Sequence, residues 1–209
     1  YSNMFDLGGL REGETVLIHA GASGVGLAAT QMAKAVGAQV IVTASSAKHD
    51  ICREHGADLC IDYQTENFAE RIMAEHSGGV DLVLELVGAP YWDDNLRVLN
   101  KWGRLVFIGL MGGAQAEVNF GQIMRKRLTI TGSTLRDRDF DLKTELITSF
   151  GQWALPLFRQ GRLKPTGGQV ELMGTDITHL APREMRPMFQ AHVVPALRRA
   201  AIVERADGD

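Results

Sequence analysis

The sequence predicts an α/β protein whose core is a doubly wound parallel sheet, and three observations lead to this fold class. Short apolar runs rich in β-branched residues alternate with helix-like segments over residues 15–132. These runs show almost no polar alternation, which is typical of strands covered on both faces. Glycines mark the boundaries between the segments. Because parallel strands need crossover helices, the alternation predicts right-handed βαβ connections throughout.

The individual elements follow from periodicity and from their terminating residues. Six segments carry the strand pattern, at residues 15–20, 39–44, 57–62, 80–87, 104–110 and 128–132. Helices are predicted between them, at residues 27–36, 47–55, 66–76 and 91–99. A longer amphipathic helix is expected at 141–160, with a kink at Pro156. Residues 166–209 show no clean strand and are left unassigned.

Composition excludes several classes of protein. Lys and Arg total 22 against 25 Asp and Glu, for a net charge of −3, and 45% of residues are apolar. Such a chain can bury a core, and it carries no basic block that predicts a nucleic-acid partner. No apolar run is long enough to predict a membrane span. Cys52 and Cys60 cannot form a zinc site alone, so we predict no metal and expect reduced thiols in a cytoplasmic protein.

The first strand-to-helix turn, His19-Ala-Gly-Ala-Ser-Gly-Val-Gly26, is similar to the dinucleotide fingerprint GxGxxG. Gly21 and Gly26 match its first and third glycines, while Ser23 takes the middle position with Gly24 beside it. A helix N-terminus there would bind an anion through its backbone amides and its dipole. We therefore favour a pyrophosphate site over the alternative, in which the glycines only allow close packing of helix on strand.

The end of the second strand predicts which dinucleotide binds. NAD-binding domains place an acid there to accept from the ribose 2′-hydroxyl. The stretch 43–48 here has no acid, and it offers Ser45 and Lys48, which would donate to a 2′-phosphate. NADP(H) is therefore the expected cofactor. The alternative for Lys48 is a solvated lysine at a helix start.

The motifs together resemble the zinc-independent quinone oxidoreductases of the medium-chain dehydrogenase/reductase superfamily, from Asn3 through Pro165. The matching motifs are Val16-Leu-Ile-His-Ala-Gly21, Ser23-Gly-Val-Gly26, Asp62-Tyr63, Gly109-Leu-Met-Gly-Gly113 and Gly132-Ser-Thr-Leu-Arg136. The resemblance implies an amino-terminal GroES-like catalytic domain, which we expect to be absent because the chain begins after it. Residues 1–140 would form an NADP-binding Rossmann domain, residues 141–165 a helix returning to the catalytic domain, and residues 166–209 a divergent tail.

The resemblance also implies roles for individual residues. Ser23, Gly24 and Val25 would hold the pyrophosphate, whereas Ala44, Lys48 and Tyr63 would flank the adenosine 2′-phosphate and ribose. The nicotinamide end would be lined by Gly88, Phe107, Ile108, Gly109, Ser133, Thr134 and Leu135. Ala44 stands where many relatives have glycine. Tyr63 has an alternative role as a half-buried core residue.

The leading functional hypothesis is hydride transfer from NADPH to a small molecule, either a quinone or an activated enone. No residue of this chain is nominated as a general acid, and the six histidines show no zinc-ligand spacing. Two alternatives stay open: an enoyl-thioester reductase, and an NADPH-binding module that does not turn over. The resemblance implies a homodimer in the full-length family member, paired through the strand edge at residues 128–132.

Overall fold

The computed structural model describes residues 1–76 and 78–166, together with the backbone of 171–172 and 175–176. The chain divides into two compact units, Tyr1–Arg138 and Asp139–Asp209. The first unit holds the large sheet and the predicted site. The second begins with a long helix.

The sheet of the first unit has six parallel strands in the spatial order β3-β2-β1-β4-β5-β6. The strands are β1 (Thr15–Ile18), β2 (Gln39–Ala44), β3 (Leu59–Asp62), β4 (Val80–Glu85), β5 (Leu99–Phe107) and β6 (Thr129–Gly132). The direction of winding reverses between β1 and β4, so the crevice for a ligand opens beyond the carboxyl ends of these two strands. The predicted doubly wound sheet is confirmed.

Six α-helices are described, five of them in the first unit. They are α1 (Gly24–Ala35), α2 (His49–Glu54), α3 (Phe68–Glu75), α4 (Trp92–Val98), α5 (Phe120–Lys126) and α6 (Phe140–Arg159). The side chains of Ser23 and Asn67 begin α1 and α3, since each accepts a hydrogen bond from an amide of the first turn. Past the end of α1, Gly37 turns the chain with a φ of 82°.

The sheet is buried on both faces, which explains why its strands lack polar alternation. In β1, the side chains of Val16 and Ile18 pack into a core cluster that includes α1. The intervening Leu17 packs into a second cluster with Phe68 of α3 and Leu96 of α4. Each strand therefore needs apolar residues at consecutive positions.

Some elements differ from the predictions. β5 begins at Leu99 and not at residue 104, because its first half contains Trp102 at a left-handed φ of 69° and polar residues that break the apolar run. Helix α5 was not predicted, since none of its residues is buried and no apolar stripe marks it. A π-helical turn at Asn3–Leu7 was not predicted either.

The second unit begins with α6, which spans Phe140–Arg159 and continues through Pro156. Its predicted role as a return to a catalytic domain stays a prediction. Two-residue strands β7 (Glu171–Leu172) and β8 (Thr175–Asp176) pair antiparallel within the segment 166–209, which the sequence left unassigned. The other residues of the predicted tail after Thr166 lie outside the described part of the chain.

Candidate functional site

Backbone hydrogen bonds join the segments that follow the strands at the carboxyl edge of the sheet. The amide of Gly21 donates to the carbonyl of Thr43 at 2.9 Å, which joins the turn after β1 to the end of β2. Beyond β4 and β5, Gly88 and Gly113 form a parallel bridge. The amide of Ser133 donates to the carbonyl of Phe107 at 3.1 Å. The predicted site residues thus lie along one edge of the sheet.

Two glycines of the first turn are required by close packing. A Cβ on Gly21 would lie 2.5 Å from the Cβ of Val42. A Cβ on Gly26 would lie 2.4 Å from the carbonyl oxygen of Ala20 and 2.6 Å from that of Gly21. The Cβ of Val42 is fixed by its backbone and the two carbonyl oxygens are backbone atoms, so neither position can accept a larger residue without a shift of the main chain. Gly21 therefore lets the turn pack tightly against β2, and Gly26 lets the first turn of α1 pack against the segment after β1.

Gly24 has no such packing role. Apart from its chain neighbours and the backbone of its own helix, no described atom would lie within 4 Å of a Cβ built on it. Gly24 is the first residue of α1, and the Oγ of Ser23 accepts a hydrogen bond from the amide of Gly26 at 3.0 Å. The capping hydroxyl keeps its own hydrogen as a donor. Ser23, Gly24 and Val25 are all exposed at this helix N-terminus.

A cavity of about 260 Å³ lies beside the turn, within the first unit. Its lining is largely apolar and comes from α1, the carboxyl half of β4, the segment after β5 and the amino-terminal residues. The lining residues are Tyr1, Asn3, Met4, Gly24, Val25, Ala28, Ala29, Met32, Leu84 and Ile108. Three predicted site residues, Gly24, Val25 and Ile108, therefore meet at the β1/β4 switch point.

The predicted adenosine side lies at the end of β2. Ala44 is buried, and its carbonyl accepts a hydrogen bond from Nε2 of His49 at 3.1 Å. Ser45 precedes a single turn of 3-10 helix, and its carbonyl accepts from the amide of Lys48. The side chain of Lys48 is exposed. The sequence analysis did not single out His49, which fixes the end of β2.

Asp62 and Tyr63 follow on the neighbouring strand β3, where Asp62 pairs in register with Ala44. The Asp62 carboxylate accepts from the amide of Gln64 at 3.1 Å, and this bond, with further hydrogen bonds from Ser46 and Thr65, holds the pKa of Asp62 below its ordinary value. Tyr63 is 49% exposed. It is therefore a surface residue and not a core tyrosine.

The segments after β4 and β5 run side by side toward the cleft. Gly88 has a φ of 97°, and a Cβ on it would lie 2.4 Å from the carbonyl oxygen of Gly113. A Cβ on Gly109 would lie 3.0 Å from the carbonyl oxygen of Leu86. Both glycines thus allow the two segments to approach closely. Further along the edge, the Ser133 hydroxyl donates to Oδ1 of Asn3, and the Thr134 hydroxyl donates to Asp137 at 2.8 Å.

Sequence reasoning missed a buried polar network beneath this edge. Oε1 of Glu85 accepts from the amides of Val87 and Gly88, and Oε2 accepts from the Asn95 side chain. Oδ1 of Asn95 lies 2.8 Å from Nε2 of His19. Burial lowers the pKa of His19, against the opposing effect of Glu85 at 3.7 Å. A glutamate within the otherwise apolar run 82–87 was the signal that could have revealed the network.

The described part of the chain shows neither a metal-ligand cluster nor a membrane-spanning helix. No three His, Cys, Asp or Glu side chains among those residues come together as a candidate metal site. Within the same residues, every helix is too short or too polar to cross a bilayer.

The fold and the glycine turn at its switch point define a dinucleotide-binding domain of the doubly wound class. A family model described as zinc-binding dehydrogenase matches residues 24–149. The chain therefore belongs to this family of oxidoreductases, as a quinone-oxidoreductase-like member of the medium-chain dehydrogenase/reductase superfamily.

Known proteins similar to this chain include curated and structurally characterised ones. The spectinabilin polyketide synthase system protein NorB of Streptomyces orinoci is 37% identical over 94% of this chain and 9% of its own length. Acryloyl-coenzyme A reductase of Sulfurisphaera tokodaii is 34% identical over 84% of this chain and 49% of its own. The crystal structure of Escherichia coli quinone oxidoreductase complexed with NADPH matches with a TM-score of 0.68 at 30% identity, covering 78% of this chain and 51% of that one. The chain thus spans about half or less of each.

Proposed function

We propose that this chain forms the NADP(H)-binding part of an NADPH-dependent reductase that delivers hydride to a quinone or an activated enone. The observation that carries the proposal is the empty space beside the Cα of Gly24. A Cβ there would meet nothing, although Gly21 and Gly26 on either side leave no room for one. A glycine that packing does not require, at a helix N-terminus on the switch point, is typical of a position where backbone approaches a phosphate.

The residues present fit such a cofactor. The first turn of α1 offers the amide of Val25 and the hydroxyl of Ser23 to a pyrophosphate, with the exposed Cα of Gly24 between them. The adjoining cavity, with Leu84 and Ile108 in its wall, would receive the nicotinamide end. Gly88, Gly109 and the segment 133–135 follow the neighbouring strands along the same edge.

The adenosine side favours NADPH over NADH. The exposed Lys48 can approach a 2′-phosphate, and Ser45 precedes the same short helical turn. The one carboxylate at the end of β3, that of Asp62, already accepts hydrogen bonds from Gln64, Ser46 and Thr65. These bonds use most of its acceptor sites, so it is a poor partner for a ribose 2′-hydroxyl, unlike the acid of an NAD-preferring domain.

Bound NADPH would supply the hydride. The residues of this chain would bind the cofactor, orient it and keep water from the reacting end. The apolar side chains of Leu84, Ile108 and Met32 line the cavity next to Val25, which limits the number of water molecules that can lie beside the ring. Within the described residues we assign no proton donor.

An α,β-unsaturated thioester is the second candidate substrate. Acryloyl-coenzyme A, named in one relative, belongs to this chemical class. The similarity to the polyketide synthase protein extends over 94% of this chain, whereas the NADPH-bound quinone oxidoreductase covers 78%. Both candidate substrates are electron-poor alkenes conjugated to a carbonyl, so the same cofactor site would serve either reaction.

The test is NADPH oxidation by the longest natural protein that contains this chain, with 1,2-naphthoquinone and crotonyl-coenzyme A as separate substrates. Turnover with the quinone supports the proposal, turnover with the thioester alone supports the second candidate, and no turnover with either contradicts both. The chain of 209 residues is assayed in parallel. NADPH binding without turnover by this chain would identify it as a binding module.

We further propose that the complete protein is a cytoplasmic homodimer acting on a small molecule. Among the described strands, β6 is one of the two edges of the sheet and pairs only with β5, so its outer backbone groups face away from the sheet. The near-neutral charge of −3 gives no attraction to nucleic acid. Sedimentation of the complete protein tests the dimer.

A further inference from the structure

Four buried side chains connect the glycine turn to the segment after β4, and we call them the Glu85 network: Thr43, His19, Asn95 and Glu85. The first lies in β2, the second directly after β1, the third in α4 and the fourth at the end of β4. None is more than 1% exposed. Oγ1 of Thr43 lies 3.0 Å from Nδ1 of His19, so the hydrogen bonds run without a break from β2 to the amide of Gly88.

The carboxylate of Glu85 determines which atom donates and which atom accepts in the hydrogen bonds of the network. Oε2 of Glu85 is an acceptor, so Asn95 must turn its NH2 group toward it. Oδ1 of Asn95 then faces His19, whose Nε2 must carry the hydrogen. Nδ1 of His19 is left as an acceptor for the hydroxyl of Thr43. The carboxylate thus fixes Nε2 of His19 as a donor, and in the neutral imidazole that burial favours this is the Nε2–H tautomer.

A carboxylate is an expensive group to bury at this point. Within the described residues its partners are the Asn95 amide, the amides of Val87 and Gly88, and the imidazole of His19 at 3.7 Å, with no Lys or Arg among its ion pairs. An apolar side chain would avoid the desolvation penalty. Stability therefore does not account for the glutamate, whereas its two bonds to backbone amides fix the conformation of one turn.

We propose that Glu85 is a positioning residue that holds the Gly88 turn in the conformation required by the cofactor cleft, and that the rest of the network holds Glu85. This inference rests on the proposed function insofar as it places the nicotinamide end beside Gly88. While the network is intact, the Gly88 turn can adopt few other backbone conformations. The amide of Gly88 donates to Glu85, and its carbonyl accepts from the amide of Tyr91 at 3.0 Å. The carbonyl oxygen of Gly113 leaves no room for a side chain at position 88.

A consequence follows for the role of Gly88 itself. Because its amide hydrogen is used by Glu85, Gly88 cannot donate a hydrogen bond to a ligand. It would act as a flat, side-chain-free surface under the nicotinamide ring. Hydrogen bonds to the carboxamide of that ring must then come from other segments of the edge.

The first test uses the protein without cofactor and compares Glu85→Leu with Glu85→Gln. Leucine removes the one oxygen, Oε1, that accepts from the amides of Val87 and Gly88, so the amide of Gly88 should exchange its hydrogen with solvent at least about tenfold faster. Glutamine keeps an oxygen toward the two amides, so exchange should stay slow. Its NH2 then faces Asn95, which must flip, and His19 should change from the Nε2–H to the Nδ1–H tautomer in nitrogen-15 NMR.

The second test measures NADPH binding by fluorescence, with Thr30→Val as the matched control, since Thr30 is also fully buried. Glu85→Leu should weaken NADPH binding about tenfold, whereas Glu85→Gln and the control should stay within about threefold of the wild type. Unchanged exchange at Gly88 and unchanged NADPH affinity in a folded Glu85→Leu protein would overturn the proposal. So would an unchanged His19 tautomer in Glu85→Gln, which decides the matter if the leucine variant does not fold.

The two proposals fail in different ways. If the wild-type protein does not bind NADPH, the proposed function is wrong, and the positioning role is still judged by amide exchange and the His19 tautomer. If the wild type binds NADPH and the Glu85 variants behave like it in every measurement, only the positioning role is wrong.

Discussion

Substituting alanine at Gly24 and at Gly26 should separate cofactor binding from stability. At Gly24 the new methyl group meets no atom within 4 Å, and the backbone is not in the left-handed region, so alanine fits. The gain should be about 0.4–1 kcal/mol, because alanine reduces the entropy of the unfolded chain. At Gly26 the methyl would lie 2.4 Å from the carbonyl oxygen of Ala20. The turn must shift, with a loss of about 1–3 kcal/mol.

NADPH binding should respond in the opposite sense at Gly24. If the pyrophosphate lies against its Cα, the methyl group occupies the space of the phosphate oxygens. The dissociation constant should then rise at least about tenfold, which corresponds to about 1.4 kcal/mol of binding free energy. Gly24→Ala would thus be a more stable protein that binds its cofactor less well.

Urea unfolding measures the first effect and fluorescence titration with NADPH the second. Gly151→Ala is the matched control, because Gly151 lies within α6 and its Cβ would also meet no atom of another described segment within 4 Å. The control should gain stability and keep the wild-type affinity. A Gly24→Ala protein that binds NADPH as tightly as the wild type would refute the placement of the pyrophosphate.

Three further predictions concern other parts of the first unit. Lys48→Ala should weaken NADPH binding about tenfold and leave NADH binding unchanged in calorimetric titrations, because it removes a charge-assisted bond to the 2′-phosphate; an equal loss for both would contradict this role. The lowered pKa of Asp62 means that its contribution to stability is complete above the unfolded pKa of about 3.9 and disappears as the pH falls through the folded value. Asp62→Asn should therefore flatten the acid side of the stability curve measured by urea unfolding between about pH 3 and 6. A variant curve that runs parallel to the wild-type curve would contradict this prediction. Thr30→Val should raise stability by about 1 kcal/mol, since the Thr30 hydroxyl has no hydrogen-bond partner among the described residues, and a loss in thermal unfolding would show that it has one.

The sequence predicted the fold where each strand is a continuous apolar run. In β1, Val16, Leu17 and Ile18 all reach 0% exposure, because helices cover both faces of the sheet. The pattern failed where tertiary contacts replace it. The first half of β5 contains the left-handed Trp102, whose ring packs under the Arg127 guanidinium at 4.7 Å. No local periodicity reports such a contact.

The candidate site shows the same limit. The glycine turn could be predicted because its steric requirement is local: Gly21 and Gly26 lie within six residues of each other. The Glu85 network could not, because His19 and Asn95 are 76 residues apart and meet only once α4 crosses beneath β1 and β4. An isolated histidine in a sequence does not show whether it is buried. Only the partners at both ring nitrogens assign its tautomer.

The central claim is that the edge around Gly24 and Lys48 binds NADP(H). Calorimetric titration of the protein with NADPH and with NADH under the same conditions tests it most directly. The account predicts one NADPH site per chain, with NADH at least about tenfold weaker because it lacks the 2′-phosphate. Equal affinity for the two cofactors, or no binding of either, would contradict it.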